Sequence, residues 1–191
     1  SFILTPRTPT TTHSPHPAHL RSKPLLVADA IHPQVWMSYF AHNELNRIPE
    51  LTQSLLEGKS VALVTDAGTP GISDPAHRLV TASIAAGIPI VPIPGAAAAI
   101  TAIIASGLST RRFAFEGFLP QKKGRQTLLK KLASEERTMV IYESPHRVVA
   151  TLEVLREYFG DRNAAVGREL TKFHEEFVRG RLSQIVEILS P

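Results

Sequence analysis

The sequence predicts an α/β fold built as two α/β lobes, and three observations carry that reading. Ser60–Pro75, SVALVTDAGTPGISDP, runs from β-branched apolar residues through a glycine-containing turn into Asp74-Pro75. From Trp36 onward, short apolar runs alternate with helical patterns, as βαβ units and a largely parallel sheet require. The alternation restarts after Ser109-Thr110-Arg111-Arg112, which puts a boundary near residues 108–112. The lobes are then residues 1–110 and 111–191. The first lobe opens with an irregular, Pro- and His-rich stretch over 1–36. At 191 residues and 43% hydrophobic composition, the chain can bury a core in each lobe.

Taken in order, the elements follow from local chemistry. Residues 1–36 hold six of the 15 prolines and four of the eight histidines, with no acidic residue before Asp29. Thr5–His19 has no apolar periodicity and reads as irregular. His13, His16 and His19 are not expected to bind metal, because Pro15 and Pro17 break the geometry that would put them on one face. Asn46 is placed to cap a helix with the apolar face Ile48, Leu51, Leu55 and Leu56, ended by Gly58. A strand is expected over 60–65. Asp74 reads as an N-cap with Pro75 at the first helical position. That helix would bury Leu79, Val80 and Ile84 and stop at Gly87. Ile88–Ile93 reads as a second strand, and Pro94-Gly95 turns into a helix over Ala96–Ala105, ended by Gly107. In the second lobe, strands are expected at Phe113–Gly117, Thr138–Tyr142, Ala164–Gly167 and Phe177–Arg179. Helices are expected over 124–135, 146–159 (Val148, Val149, Leu152 and Leu155 inward) and 182–189.

The loop after 60–65 is the first place to look for a ligand. In open α/β sheets ligands bind at the carboxyl ends of the strands, and Gly68 and Gly71 let one approach the main chain. Neither G-x-G-x-x-G nor G-x-x-x-x-G-K-[ST] is present, so this is neither a dinucleotide fingerprint nor a phosphate cradle. A net charge of +4 and a pI near 9.6 favour an anionic partner. The absence of cysteine excludes disulfides and thiolate metal sites and fits a reducing compartment. No apolar run approaches a membrane span, and Phe2-Ile3-Leu4 is too short to read as a signal peptide.

Five segments fall at predicted strand ends: Asp66–Asp74, Pro94–Ala99, Glu116–Arg125, Tyr142–Arg147 and Arg168–Glu176. Their sequences, DAGTPGISDP, IPGAAAA, EGFLPQKKGR, YESPHR and RELTKFHEE, resemble in this order the tetrapyrrole-methylase-like (class III) methyltransferases. Within them the likeness is to the ribosomal RNA small subunit methyltransferase I family, over roughly Tyr39–Leu182. The resemblance implies S-adenosylmethionine folded in a cleft between the lobes, and no metal. It implies methyl transfer to the ribose 2′-oxygen of a cytidine in 16S ribosomal RNA, by a cytoplasmic homodimer. The implied cofactor residues are Asp66, Ala67, Gly68, Thr69, Pro70, Gly71, Ile72, Pro94, Gly95, Ala96, Ala97, Ala98, Tyr142 and Arg168. A serine usually stands where this chain has Ala97, which removes one cofactor hydrogen bond. The family's opening strand with its Pro-Ile-Gly-Asn loop, and its closing strand, are expected to lie outside these 191 residues. Thr5-Pro6-Arg7-Thr8 stands where the family carries Glu-Asp-Thr-Arg.

The residues themselves leave alternatives open. Ala96, Ala97 and Ala98 suit either a flat wall for an adenine or close helix–sheet packing. Lys122, Lys123 and Arg125 either hold RNA phosphates or form a solvated loop. Arg147 and His146 either join them or decorate the following helix. Methyl transfer is an in-line displacement that rests on alignment, and a 2′-hydroxyl is a poor nucleophile that benefits from a proton acceptor. The carboxylates at strand ends are Asp66, Glu116, Glu143, Glu169, Glu175 and Glu176. Glu143, flanked by Tyr142 and His146, is favoured as base or orienter; its alternative is a structural carboxylate paired with Arg147 or Arg168. Two other functions stand beside the leading one: a class III methylase of a small molecule such as a tetrapyrrole, and a non-catalytic remnant that binds RNA or a partner subunit.

Overall fold

The structure, a computed structural model, describes the strand Phe2–Pro6 and residues 35–65 and 68–190. It divides into two compact units, one holding Phe2–Pro6 with 98–190 and the other holding 35–97. In chain order the elements are β1 (Phe2–Pro6), α1 (Glu44–Leu56), α2 (His77–Ala85), α3 (Ala98–Ala105), β2 (Phe113–Phe118), α4 (Arg125–Leu132), β3 (Thr138–Glu143), α5 (Val148–Phe159), β4 (Asn163–Arg168), β5 (Glu176–Arg181) and α6 (Leu182–Leu189). A 3-10 turn, Pro145–Arg147, joins β3 to α5. Among the described residues no helix is long and apolar enough to cross a membrane.

The unit containing the sheet is organised by β3. Its sequence, TMVIYE, is buried at all six positions, as expected of a strand covered on both faces. The sheet is five-stranded with the order β2-β3-β1-β4-β5. Every neighbouring pair is parallel except β4 and β5, which are antiparallel. Alternation along β3 feeds two separate cores. Met139 and Ile141 pack with Leu129 and Leu132 of α4, Leu152 and Leu155 of α5, and Leu182 and Ile185 of α6. Val140 and Tyr142 pack with Ala99, Ala102 and Ile103 of α3. Each fully buried leucine there contributes about 1.5–3 kcal/mol. In β2 the register against β3 skips Glu116, from Phe115 to Gly117. Gly117 has φ 59°, so this bulge stands on a residue that tolerates left-handed backbone.

The second-lobe elements match the sequence pattern to within a few residues. The first-lobe pattern is corrected in several places. Residues 60–65 and 88–93 carry no regular secondary structure and belong to no strand. Val61, Val64, Ile90, Val91 and Ile93 in them are exposed. β-branched composition records what suits a pleated surface, whereas a strand exists only through a ladder partner. Neither segment has one among the described residues. β1 pairs with β3 and β4, so regular structure reaches Thr5 and Pro6 inside the stretch read as irregular. The remainder of 1–34, with His13, His16 and His19, lies outside the described residues.

Helix starts are corrected too. α1 begins at Glu44, not after Asn46, and carries Pro49 within it. Asn43 organises the entry, its Oδ1 accepting from Phe40 N at 2.8 Å and its Nδ2 donating to Ser38 O at 3.0 Å. Only Leu51 of the predicted face is buried. α2 starts at His77 after Ala76, without a side-chain cap. Asp74 is not its cap, and the Asp74 carboxylate instead accepts from Thr65 Oγ1 at 2.8 Å. The buried face of α2 is Leu79 and Ser83, while Ile84 is exposed. α3 starts at Ala98, not Ala96.

Candidate active site

In the unit holding α1 and α2, two glycine-bearing loops meet. Thr69 Oγ1 donates to Ala96 O at 3.0 Å. A Cβ on Gly68 would lie 3.6 Å from Ala96 O, and one on Gly95 would lie 3.6 Å from Thr69 Oγ1. The loops are therefore one van der Waals layer apart, and any side chain added there fills the seam. Gly68 sits at φ +77°, backbone that β-branched residues avoid. Gly68, Gly71, Ile72, Pro94, Gly95 and Ala96 are exposed, while Thr69, Pro70 and Ala97 are half-buried. Ser73 holds φ 60°, a left-handed conformation that non-glycine residues rarely adopt. Asp66 and Ala67 lie outside the described residues.

In the sheet unit, Ala98 opens α3, and Tyr142 secures that end. The Tyr142 hydroxyl accepts from Ala99 N at 3.1 Å, satisfying one of the amide donors that a helix start leaves over. Tyr142 is buried, with Phe115 and Phe118 edge-on at 5.1 and 5.6 Å between ring centroids. Arg168 faces Glu176 across the β4–β5 ladder and pairs with it. The loop that follows is held in an unusual shape. Glu169 has φ 50° and Thr171 φ 65°. Thr171 N donates to Glu175 Oε2 at 2.6 Å, and Lys172 Nζ lies 3.2 Å from Glu169 Oε2. The carboxylates at 169, 175 and 176 thus each have a partner within this loop and strand pair.

Glu143 is the most constrained of the predicted residues. It is 3% exposed, and four hydrogen bonds converge on it. Oε1 accepts from Ser144 N at 2.6 Å, Arg147 Nε at 3.0 Å and Arg147 Nη2 at 2.7 Å. Oε2 accepts from the Thr151 hydroxyl at 2.8 Å. Of the partners foreseen for it, Arg147 is the one bonded. Arg168 is committed to Glu176, and His146 stands exposed on the 3-10 turn. With its amide oxygen turned toward Arg147, Gln121 accepts from Nη2 and Nη1 at 2.8 and 2.9 Å. Arg125 donates from Nη1 to Pro120 O at 3.2 Å and from Nη2 to Thr151 Oγ1 at 3.3 Å. Lys122 and Lys123, at the tip of the same loop, are exposed. The structure thus joins EGFLPQKKGR to YESPHR through Glu143, and makes Arg125 and Arg147 part of the joint.

Sequence reasoning missed Thr151 and Gln121. Thr151 left a trace. It shares a helical face with Val148, Leu152 and Leu155, the lone hydroxyl on an apolar stripe. It also lies four residues after Arg147, where helical side chains meet.

These features have counterparts in known proteins. The family model described as Tetrapyrrole (Corrin/Porphyrin) Methylases matches residues 6–186. The chain belongs to the tetrapyrrole methylase family. Relatives of this tetrapyrrole methylase are named "Ribosomal RNA small subunit methyltransferase I". The one from Synechocystis is 53% identical over 156 residues, covering 81% of this chain and 55% of the relative. The one from Halalkalibacterium halodurans is 48% identical over 151 residues, covering 78% and 52%. The one from Thermotoga maritima is 44% identical over 150 residues, covering 78% and 68%. The chain spans about half the length of the first two. The resemblance read from the five motifs therefore holds, as does the α/β fold.

Tetrapyrrole methylases draw the methyl group from S-adenosylmethionine, whose sulfonium supplies an activated methyl. The Gly68–Ile72 and Pro94–Ala96 loops fit such a molecule in kind. They present exposed main chain and small side chains, and a Cβ at Gly68 or Gly95 would occupy the seam between them.

Proposed function

We propose that this chain is an S-adenosylmethionine-dependent methyltransferase acting on the ribose 2′-oxygen of a cytidine in small-subunit ribosomal RNA. Its setting would be the cytoplasm, as a homodimer. The observation that carries the reading is the joining of the basic loop to YESPHR through buried Glu143, within a chain 44–53% identical to the relatives named above. The basic loop with Lys122 and Lys123 exposed, together with YESPHR, argues against a methylase of small molecules.

In this reading Asp66–Ile72 and Pro94–Ala98 are the residues that hold the cofactor. Tyr142, within the sheet unit, fixes the start of α3. Lys122 and Lys123 hold phosphates, which orients the RNA without reading its sequence. His146 stands at the same edge, and a splayed single-stranded nucleotide suits this arrangement best. Glu143 is an orienter, because its lone pairs are engaged by Ser144, Arg147 and Thr151.

The test is transfer of labelled methyl from S-adenosylmethionine to small ribosomal subunits lacking the modification, followed by nucleoside analysis. The expected product is 2′-O-methylcytidine. Label on a tetrapyrrole and none on the subunits would establish the small-molecule reading. No cofactor binding by calorimetry would leave the non-catalytic one.

A further inference from the structure

We propose that Thr151 and Arg125 form a latch that holds the Pro120–Gly124 loop in the position from which Lys122 and Lys123 meet RNA; the RNA half of this rests on the function proposed above. The loop is fastened at both ends. At its start Leu119 is buried, 5% exposed. At its end Arg125 folds back to Pro120 O and reaches Thr151 on α5. Arg125 N also donates to Lys122 O at 3.3 Å, closing the turn that carries both lysines.

The Thr151 hydroxyl gives the latch its direction. A hydroxyl has one proton and two lone pairs. Here the proton goes to Glu143 Oε2 at 2.8 Å, and a lone pair receives Arg125 Nη2 at 3.3 Å. Thr151 is 3% exposed, so water does not readily replace either bond. Gln121 adds a second tie from the same loop, to Arg147 and through it to the same carboxylate. The geometry thus gives Arg125 an inward task while the neighbouring lysines face out. Thr151 and Arg125 are positioning residues.

The experiment uses the whole chain and three variants. Thr151→Val keeps the shape and removes the hydroxyl. Arg125→Met removes the outer half and leaves the Thr151–Glu143 bond in place, so it stands in if Thr151→Val does not fold. Thr151→Ser restores the hydroxyl. Native-state trypsin cleavage after Lys122 and Lys123 should rise about tenfold in Thr151→Val and in Arg125→Met, from loss of a bond to a charged group. It should return to the parental rate in Thr151→Ser. Cleavage after Lys130 and Lys131 in α4 should stay at the parental rate, which separates loop release from general loosening. The KM for small subunits should rise about tenfold, with kcat changed less than about twofold.

Unchanged cleavage after Lys122 and Lys123 in both Thr151→Val and Arg125→Met would overturn the latch. Raised cleavage with an unchanged KM would overturn its role in positioning the lysines. If the parent transfers no methyl to subunits while the cleavage pattern is as expected, the fault lies with the functional reading and the latch stands.

Discussion

Replacing Glu143 with glutamine separates an orienting carboxylate from a proton acceptor. The amide keeps the shape, so the question is which bonds survive. Three donors meet at Oε1, from Ser144 N and two nitrogens of Arg147, so the amide oxygen must take that side. The amide nitrogen then faces the Thr151 hydroxyl, which has to reverse and lose its acceptor. Charge assistance is worth roughly 1 kcal/mol for each buried bond. The Arg147 share is smaller, because that side chain is 43% exposed and screened. The net loss is about 2–3 kcal/mol, or roughly 5–10 °C in melting temperature for a chain of this size. The assay is urea unfolding, comparing midpoints at equal slope, alongside single-turnover methyl transfer. The expected result is a lowered midpoint, with cofactor affinity kept in the folded fraction. A parental midpoint combined with a roughly 10²-fold slower transfer would refute the reasoning and make Glu143 the base.

Gly68→Val, at φ +77°, should abolish S-adenosylmethionine binding in calorimetry; parental affinity would remove the cofactor from this loop. The pair Lys122→Ala, Lys123→Ala should reduce the salt slope of log K for a decoding-region RNA by about 1.4–1.8, whatever the RNA sequence; an unchanged slope makes the lysines a solvated tip. Gly167→Ala should cost about 1–3 kcal/mol in urea unfolding, because its Cβ would come within 2.9 Å of Phe177 Cε1; neutrality would show that the Phe177 ring moves aside freely. Glu135 is held down to about 2 from 4.5 by hydrogen bonds from the Arg137 side chain and backbone, so its stabilisation is complete above pH 4.5 and disappears as pH falls toward 2. The difference in urea midpoint between parent and Glu135→Gln should therefore close across that window, and an equal difference at both ends would contradict the assignment.

The sequence showed most where a segment answers only to its own period. Thr138–Tyr142 reads as a strand because its five residues suit one, and β3 runs one residue further, to Glu143, buried throughout. The helix over 146–159 was placed by Val148, Val149, Leu152 and Leu155, and α5 fills most of it. It misled where a partner decides. Val61–Val64 and Ile88–Ile93 have strand composition, but no described strand lies beside them. Asp74 has the look of a cap, yet Thr65, nine residues earlier, takes its carboxylate. The candidate site divides the same way. The five motifs stood out as strings, whereas the junction at Glu143 draws on β3, a turn, α5 and the loop after β2. No single window of sequence contains that junction. The one local trace was a threonine on an apolar stripe.

The position of β1 also shapes how this molecule reaches its native state. The strand at Phe2–Pro6 lies between β3 and β4, hydrogen-bonded to both, although each lies far along the chain from it. Few contacts in the fold span more sequence, and closing so long a loop is entropically slow. Until β1 docks, Thr138–Glu143 and Asn163–Arg168 each carry an open, apolar parallel edge, the kind that pairs with other chains. Refolding should therefore slow and lose yield as protein concentration rises, and a free peptide of sequence FILTP, competing for that slot, should slow it further.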